Sequence, residues 1–283
     1  MVLRLAVLAG DARQWAAACV LAARGHDVAY VGRIPAPGPA DSPHPAVCSG
    51  LPDACAGRNG VIGPLLGLTP DQVDDLLANL HRLAPGAVVA AGRPPGPLEE
   101  AARSAGLRLV DWLAWEPLLQ LNAVLTADGA VAEAVTAAGR AIWGSRAVVV
   151  GFGRVGRSLA VRLRALGAEV TVCARSAGQR AAAAAEGCRA LPLPLPAAAL
   201  AGADFVFNSV PAPVIGGPAL ASCPRQALLM DLVAPPGGFD GTAAAARGLE
   251  VRRSLGIPGR VTPLSAGRIL ADAVEELFCG GTE

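Results

Sequence analysis

Residues 148–158 read VVVGFGRVGRS, a β-branched apolar run that ends at Gly151, Gly153 and Gly156 just before the pattern turns helical. A strand that feeds three glycines at this spacing, and then a helix, is suited to holding a dinucleotide. The first glycine permits a tight turn and the second lets the backbone approach a pyrophosphate. The third lets helix and strand pack closely. The helix N-terminus adds N–H groups and a partial positive charge. Gly151, Phe152, Gly153, Arg154, Val155 and Gly156 are therefore candidate cofactor-binding residues. A plain βαβ turn has the same outline, and the strand on either side of the glycine turn favours the nucleotide.

The end of the following strand selects the dinucleotide. In an NAD site an acid about 20 residues on accepts hydrogen bonds from the ribose. Here the chain reads VTVCARSAGQR, and 175 − 156 = 19 positions separate Gly156 from a cation, Arg175. Arg175 suits pairing with a 2′-phosphate and Ser176 can donate to it, so NADP is expected over NAD. Glu169 lies at the wrong end of that strand. Asn208, Val210 and Pro211, in NSVPAP (208–213), end a later strand where a cofactor is commonly approached, although the prolines also simply stop a strand. Asp231 ends the next strand and is placed to hold a loop through backbone N–H groups.

A second set of residues suits a carboxylate substrate. Asp11 and Arg13 follow the first strand in GDARQ (10–14), at the edge where α/β domains bind ligands. The plainer alternative is an N-cap and an exposed helix-start residue. Asn122, Thr126 and Asp128 stand at the entry of a helix predicted over 126–143, with Asp128 as proton acceptor and Thr126 beside it. A helix cap at Thr126 and a first-turn acid at Asp128 are the competing assignments. Arg260 and Ser265, in GIPGRVTPLSAG (256–267), fall near the expected nicotinamide; Ser265 equally suits capping the last helix.

Strand–helix alternation carries these residues. Apolar strands are predicted at 4–10, 27–32, 61–65, 87–92 and 107–113, with helices at 13–24, 69–84 and 97–105 between them. Residues 33–60 read as a long Pro/Gly-rich connection. A second series of strands is predicted at 146–151, 168–174, 203–210, 227–234 and 249–255, followed by an amphipathic helix at 265–278. The runs AAAAA (181–185) and PLPLPAAAL (192–200) read as helix and loop. The expectation is an α/β chain of two parallel-sheet domains, 1–122 and 123–283, with a cleft between them. The second is a Rossmann domain, and its last helix is free to pack back on the first.

Composition narrows the chemistry. The chain has 283 residues, 53% of them hydrophobic and 17% charged, which is globular and not disordered. A net charge of +1 gives no reason to expect nucleic acid or an anionic membrane surface. No apolar run approaches the ~18 residues of a membrane span, and the first residues read as a buried strand rather than a signal peptide. Seven cysteines without CxxC spacing suit reduced thiols in a cytosolic protein. His44, Cys48 and Cys55 lack a fourth ligand, so no metal is expected. Trp112, Trp115 and Trp143 read as packing residues. Every basic residue is arginine, which removes the Walker A loop, lysine Schiff bases and any lysine-dependent dehydrogenase. The three histidines, His26, His44 and His81, all lie in the first third, so no imidazole base is available near the glycine turn.

The stretches AGDARQ (9–14), GFGRVG with ARS, DLVAPPGGFD (231–240) and LGIPGRVTPLSAGRILA (255–271) resemble, in order and spacing, the A-subunit family of dipicolinate synthase. The resemblance covers nearly the whole chain; GDARQ and the C-terminal GxPGxxxPxxAGxIL are its more particular parts. It implies a sporulation enzyme of the mother-cell cytoplasm that oxidises dihydrodipicolinate, a small dicarboxylate, to dipicolinate together with a flavoprotein-like B subunit. A homo-oligomer is compatible with it. The family linker NSxPTxEG reads NAVLTADG here (122–129), with Leu125 for a proline and Asp128 for a glutamate. Two alternatives share the glycine turn, a 2-hydroxy-acid dehydrogenase and a non-catalytic nucleotide-sensing domain. The first normally needs a downstream histidine, and the second usually carries an acid where Arg175 stands.

Overall fold

The computed structural model describes residues 1–35 and 43–279. The chain divides into two compact units, Met1–Asn122 with Pro258–Glu283, and Ala123–Ile257.

The first unit opens with strand β1 (Arg4–Leu8), helix α1 (Ala12–Ala23), β2 (Asp27–Val31) and β3 (Ala46–Cys48). It continues through α2 (Leu51–Cys55), β4 (Gly60–Ile62), α3 (Pro70–Asn79), β5 (Val88–Ala91), α4 (Gly96–Ser104) and β6 (Arg108–Asp111). Local chemistry sets the helix starts. Asp11 and Gln14 form a capping box at α1, and Thr69 and Gln72 form another at α3, where Pro70 occupies the first turn. The six strands are all parallel in the order β3-β2-β1-β4-β5-β6. Leu5 and Val7 face a core built with Trp15, Leu21, Trp112 and Leu270, while Ala6 and Leu8 face Leu51, Leu76 and Leu98. Both faces of the sheet are thus covered, as an all-parallel sheet requires.

Helix α5 (Glu116–Ala138) leads out of the first unit. By length and composition it is apolar enough to cross a membrane, yet Ala123, Ala127, Ala130 and Ala134 are buried inside the protein. The second unit then runs β7 (Arg146–Val150), α6 (Arg154–Ala165), β8 (Glu169–Ala174), α7 (Ala177–Ala185), β9 (Arg189–Pro192) and β10 (Phe205–Asn208). It closes with α8 (Gly217–Ser222), β11 (Leu228–Asp231), α9 (Gly241–Ala246) and β12 (Val251–Arg253). Its strand order, β12-β11-β10-β7-β8-β9, is again fully parallel. Val148, Val150, Val206 and Leu229 form one face of its core with Leu220 of α8 and Ala244 of α9.

Short α10 (Ile257–Val261) and long α11 (Pro263–Cys279) return the chain to the first unit. There α11 lies against α1 so closely that a Cβ on Gly267 would stand 2.4 Å from the Cβ of Ala16. Arg24 bridges Asp272 (2.6 Å) and Glu275 (2.7 Å), and His26 Nε2 meets Glu275 at 3.0 Å.

Four expectations need correction. The Pro/Gly-rich connection 33–60 contains β3 and α2; its residues 36–42 lie outside the described residues. The helix predicted at 126–143 begins ten residues earlier and ends at Ala138, because EPLLQLNAVL is itself helix-compatible. Residues 189–192 form a strand that is too short to show a period, and LPLPAAAL follows it as turns. The last helix begins at Pro263, so Ser265 lies inside its first turn and is not its cap.

Candidate functional site

In both units the chain reverses its winding direction between the first strand and the fourth, β1/β4 and β7/β10. The carboxyl ends of such strands flank the crevice where open α/β sheets bind ligands. The glycine turn follows β7, and Asp11 and Arg13 follow β1.

In the second unit, β7 ends at Gly151, whose φ of +98° only glycine adopts readily. Its N–H donates to the Cys173 carbonyl (2.8 Å), tying the turn to β8. A Cβ on Gly151 would stand 2.5 Å from Ser209 Oγ, and one on Gly156 would stand 2.2 Å from the Gly151 carbonyl oxygen. These two glycines are therefore needed by the protein itself. Gly153 differs, because a Cβ there would meet nothing within 4 Å. It is the N-cap of α6, offers no side chain to the first-turn N–H groups, and is followed by no acid in that turn. The open space before Gly153 is the cradle a pyrophosphate needs, so a nicotinamide dinucleotide fits this turn.

A cavity of about 800 Å³ opens beside the turn. It is lined by Gly151, Phe152 and Gly153 of the turn, by Arg175 and Gln179, and by the apolar Leu193, Leu195, Val210 and Pro211. Arg175 follows the last residue of β8 and is exposed. Ser176 caps α7 by accepting from the Gln179 N–H (3.1 Å). Gln179 Nε2 donates to the Phe152 carbonyl (3.4 Å), linking the start of α7 to the glycine turn. Asn208 and Asp231 are fully buried beneath this surface. Asn208 Nδ2 donates to Asp231 Oδ1 (2.8 Å) and to the Val210 carbonyl (3.0 Å), and its Oδ1 accepts from the Val210 N–H (3.0 Å). Asp231 Oδ2 accepts from the Gly238 N–H (3.0 Å). These two side chains shape the loops after β10 and β11 rather than facing the cavity.

In the first unit the structure assembles a second cluster. Asp11, the N-cap of α1, accepts from Arg13 Nε (2.9 Å) and Nη2 (2.8 Å), a side-on bidentate pair. Arg13 Nη1 donates to Asn122 Oδ1 (3.0 Å), on the last residue that α5 gives to this unit. The Arg13 side chain is 2% exposed and that of Asp11 30%. Gly259 completes the cluster, since a Cβ there would stand 2.2 Å from the Asp11 carboxylate. Three of the five substrate-binding candidates thus meet. Arg260 follows Gly259 and is exposed, as is Ser265 in the first turn of α11.

Thr126 and Asp128 sit in the interior of α5, so neither the cap nor the first-turn acid applies. Thr126 is four residues from Asn122 and shares its face; Asp128 is turned about 120° from Asn122 and about 160° from Thr126. Its carboxylate pairs with Arg162, in the last turn of α6, and Arg162 also donates to Ser158 Oγ (2.8 Å). The structure therefore gives Asp128 a surface ion pair. Among the described residues no cluster of His, Cys, Asp and Glu is placed to hold a metal. The sequence reading missed Gln179, Ser209 and Leu193–Leu195. Ser176 and Gln179 have the S-x-x-Q spacing of a helix start, which was a usable signal for Gln179.

The dipicolinate synthase A subunit of Bacillus subtilis is 30% identical to this chain over 200 residues, 71% of this chain and 67% of that protein. The chain belongs to this family. The crystal structure of the dipicolinate synthase A subunit from Bacillus halodurans matches 99% of this chain and 100% of its own, with a TM-score of 0.80 and 25% identity. That of the Bacillus subtilis enzyme's A subunit matches 99% and 96%, with a TM-score of 0.78 and 26% identity. Residues 119–231 also match the D-isomer specific 2-hydroxyacid dehydrogenase, NAD binding domain. The second unit is therefore a dehydrogenase-type domain for a nicotinamide dinucleotide, and the chain is an oxidoreductase of that type.

Proposed function

We propose that this chain oxidises dihydrodipicolinate to dipicolinate with NADP, working in the mother cell of a sporulating bacterium with a second, flavoprotein-like subunit. The observation that carries this reading is the match, across 99% of the chain, to two solved A subunits of dipicolinate synthase. The site chemistry supports it. A dicarboxylate needs cationic, well-oriented donors, and Arg13, held by Asp11 and Asn122 just after β1, would supply one. A guanidinium fixed on two sides loses little freedom when it takes a carboxylate.

Gly153 and the start of α6 would hold the diphosphate, Arg175 and Ser176 the 2′-phosphate, and Leu193, Leu195, Val210 and Pro211 would cover the apolar parts of the dinucleotide. Bound there, NADP supplies a hydride acceptor. Oxidising the ring removes one hydride and one proton, and aromatisation drives the step. The chain's task is then to orient the substrate, and the proton can leave to water. The second unit contains no histidine or lysine, and Asp128 is held by Arg162, so no strong base is assigned.

The test is an ultraviolet assay on the purified chain, with and without its partner subunit, given freshly generated dihydrodipicolinate and NADP or NAD. Dipicolinate and NADPH should appear together, and faster with NADP than with NAD. NADP binding without turnover on this substrate, partner present, would overturn the reading in favour of a nucleotide-sensing role.

A further inference from the structure

Beyond Arg175, the end of β8 carries a second arginine with a defined place. Arg180, in the first turns of α7, folds back so that Nη1 donates to the carbonyls of Ala174 (3.0 Å) and Arg175 (2.7 Å). These are the last carbonyl of β8 and that of the residue beside the cavity. The same helix start is pinned to the glycine turn by Gln179 and capped by Ser176.

The electrostatic consequence concerns a dianion. Carbonyl oxygens at the carboxyl end of a strand present the negative ends of their dipoles, and an uncovered pair there would repel a phosphate. Arg180 covers both oxygens with one cation. No carboxylate occurs from Val170 to Ala185. The nearest acids in sequence are engaged elsewhere, Glu169 with Arg146 (3.6 Å) and Glu186 with Arg157 (2.6 Å).

We propose that Arg180 is a positioning residue for dinucleotide selectivity: by clamping the Ala174 and Arg175 carbonyls it fixes the backbone from which Arg175 reaches, and it makes the strand end receptive to a 2′-phosphate. The inference rests on the NADP reading above and deepens it. Selectivity then comes from two arginines, one in contact with the phosphate and one beneath it.

The experiment is a calorimetric titration of the full chain with 2′,5′-ADP and with 5′-AMP, for the wild type, Arg180→Gln and Arg180→Lys. The wild type should prefer 2′,5′-ADP. Arg180→Gln should weaken 2′,5′-ADP by about tenfold or more while 5′-AMP changes by less than about twofold, and Arg180→Lys should fall between. Parallel loss of both ligands would show a merely structural role, and no loss would show none; either result overturns the inference. A wild type without preference for 2′,5′-ADP would instead remove the NADP reading itself. Should Arg180→Gln fail to fold, Arg180→Lys decides by the same ratio.

Discussion

Gly153 and Gly156 look alike in the sequence but have opposite roles in the structure, and a pair of alanine substitutions separates them. A Cβ on Gly156 would stand 2.2 Å from the Gly151 carbonyl oxygen, 2.9 Å from its carbon and 2.9 Å from Ser209 Oγ. Two of those atoms are backbone, so α6 must move off β7. Overpacking of this kind costs about 1–3 kcal/mol, which lowers the melting temperature of a unit this size by ~3–9 °C. At Gly153 the φ is −83° and a methyl would meet nothing within 4 Å. Gly153→Ala should therefore cost less than about 1 kcal/mol, the difference between two uncharged N-caps. The same methyl would stand where a diphosphate must approach the backbone, and a similar overpacking of about 1–3 kcal/mol weakens binding by about five- to hundredfold. Thermal unfolding followed by circular dichroism, with calorimetric titration of NADP, reads both quantities. Gly156→Ala should melt early; Gly153→Ala should melt near the wild type and bind poorly. If Gly153→Ala binds NADP as the wild type does, the space before the turn is not the diphosphate cradle.

Arg13→Gln leaves the Asp11 carboxylate without its cation and removes a donor from Asn122, at a cost of about 1–3 kcal/mol, toward the lower end because Asp11 is partly exposed. Dipicolinate formation should then need far more substrate, and an unchanged KM would remove Arg13 from the substrate site. Arg175→Gln should reduce the preference for NADP over NAD by about tenfold in initial rates, and an unaltered ratio would show that the 2′-phosphate lies elsewhere. Burial pushes the Cys173 thiol up to about 12, that of Cys55 up to about 11 and the Tyr30 hydroxyl up to about 12. The folded chain thus keeps protons that the unfolded chain releases from about pH 8.5 upward, so their stabilisation is complete below that pH and is lost as pH rises towards about 11–12. Urea unfolding at about pH 8 and about pH 10.5 should show a clear loss, since each such group contributes a slope of up to ~1.4 kcal/mol per pH unit, and a flat profile would contradict the burial of these groups.

What the sequence determined by itself is what short-range chemistry controls. Apolar runs bounded by glycine mark the strands, Asp11 and Thr69 mark helix starts, and the spacing from Gly156 to Arg175 measures one helix and one strand. These signals reach across a few turns of chain, so the α/β alternation and the glycine turn were legible. The partner of each charged side chain was not. Arg13 and Asn122 are separated by 109 positions and meet only because the fold brings α5 against the start of α1. Asp128 looked like a reactive carboxylate until Arg162, 34 positions away, claimed it. The return of α11 to α1 likewise depends on Ala16 and Gly267, two small residues that show no pattern until the helices touch. Periodicity and turn chemistry are written locally because backbone geometry repeats over a few residues. Charge pairing and close approach are decided by topology, which brings together residues that have no local reason to be neighbours.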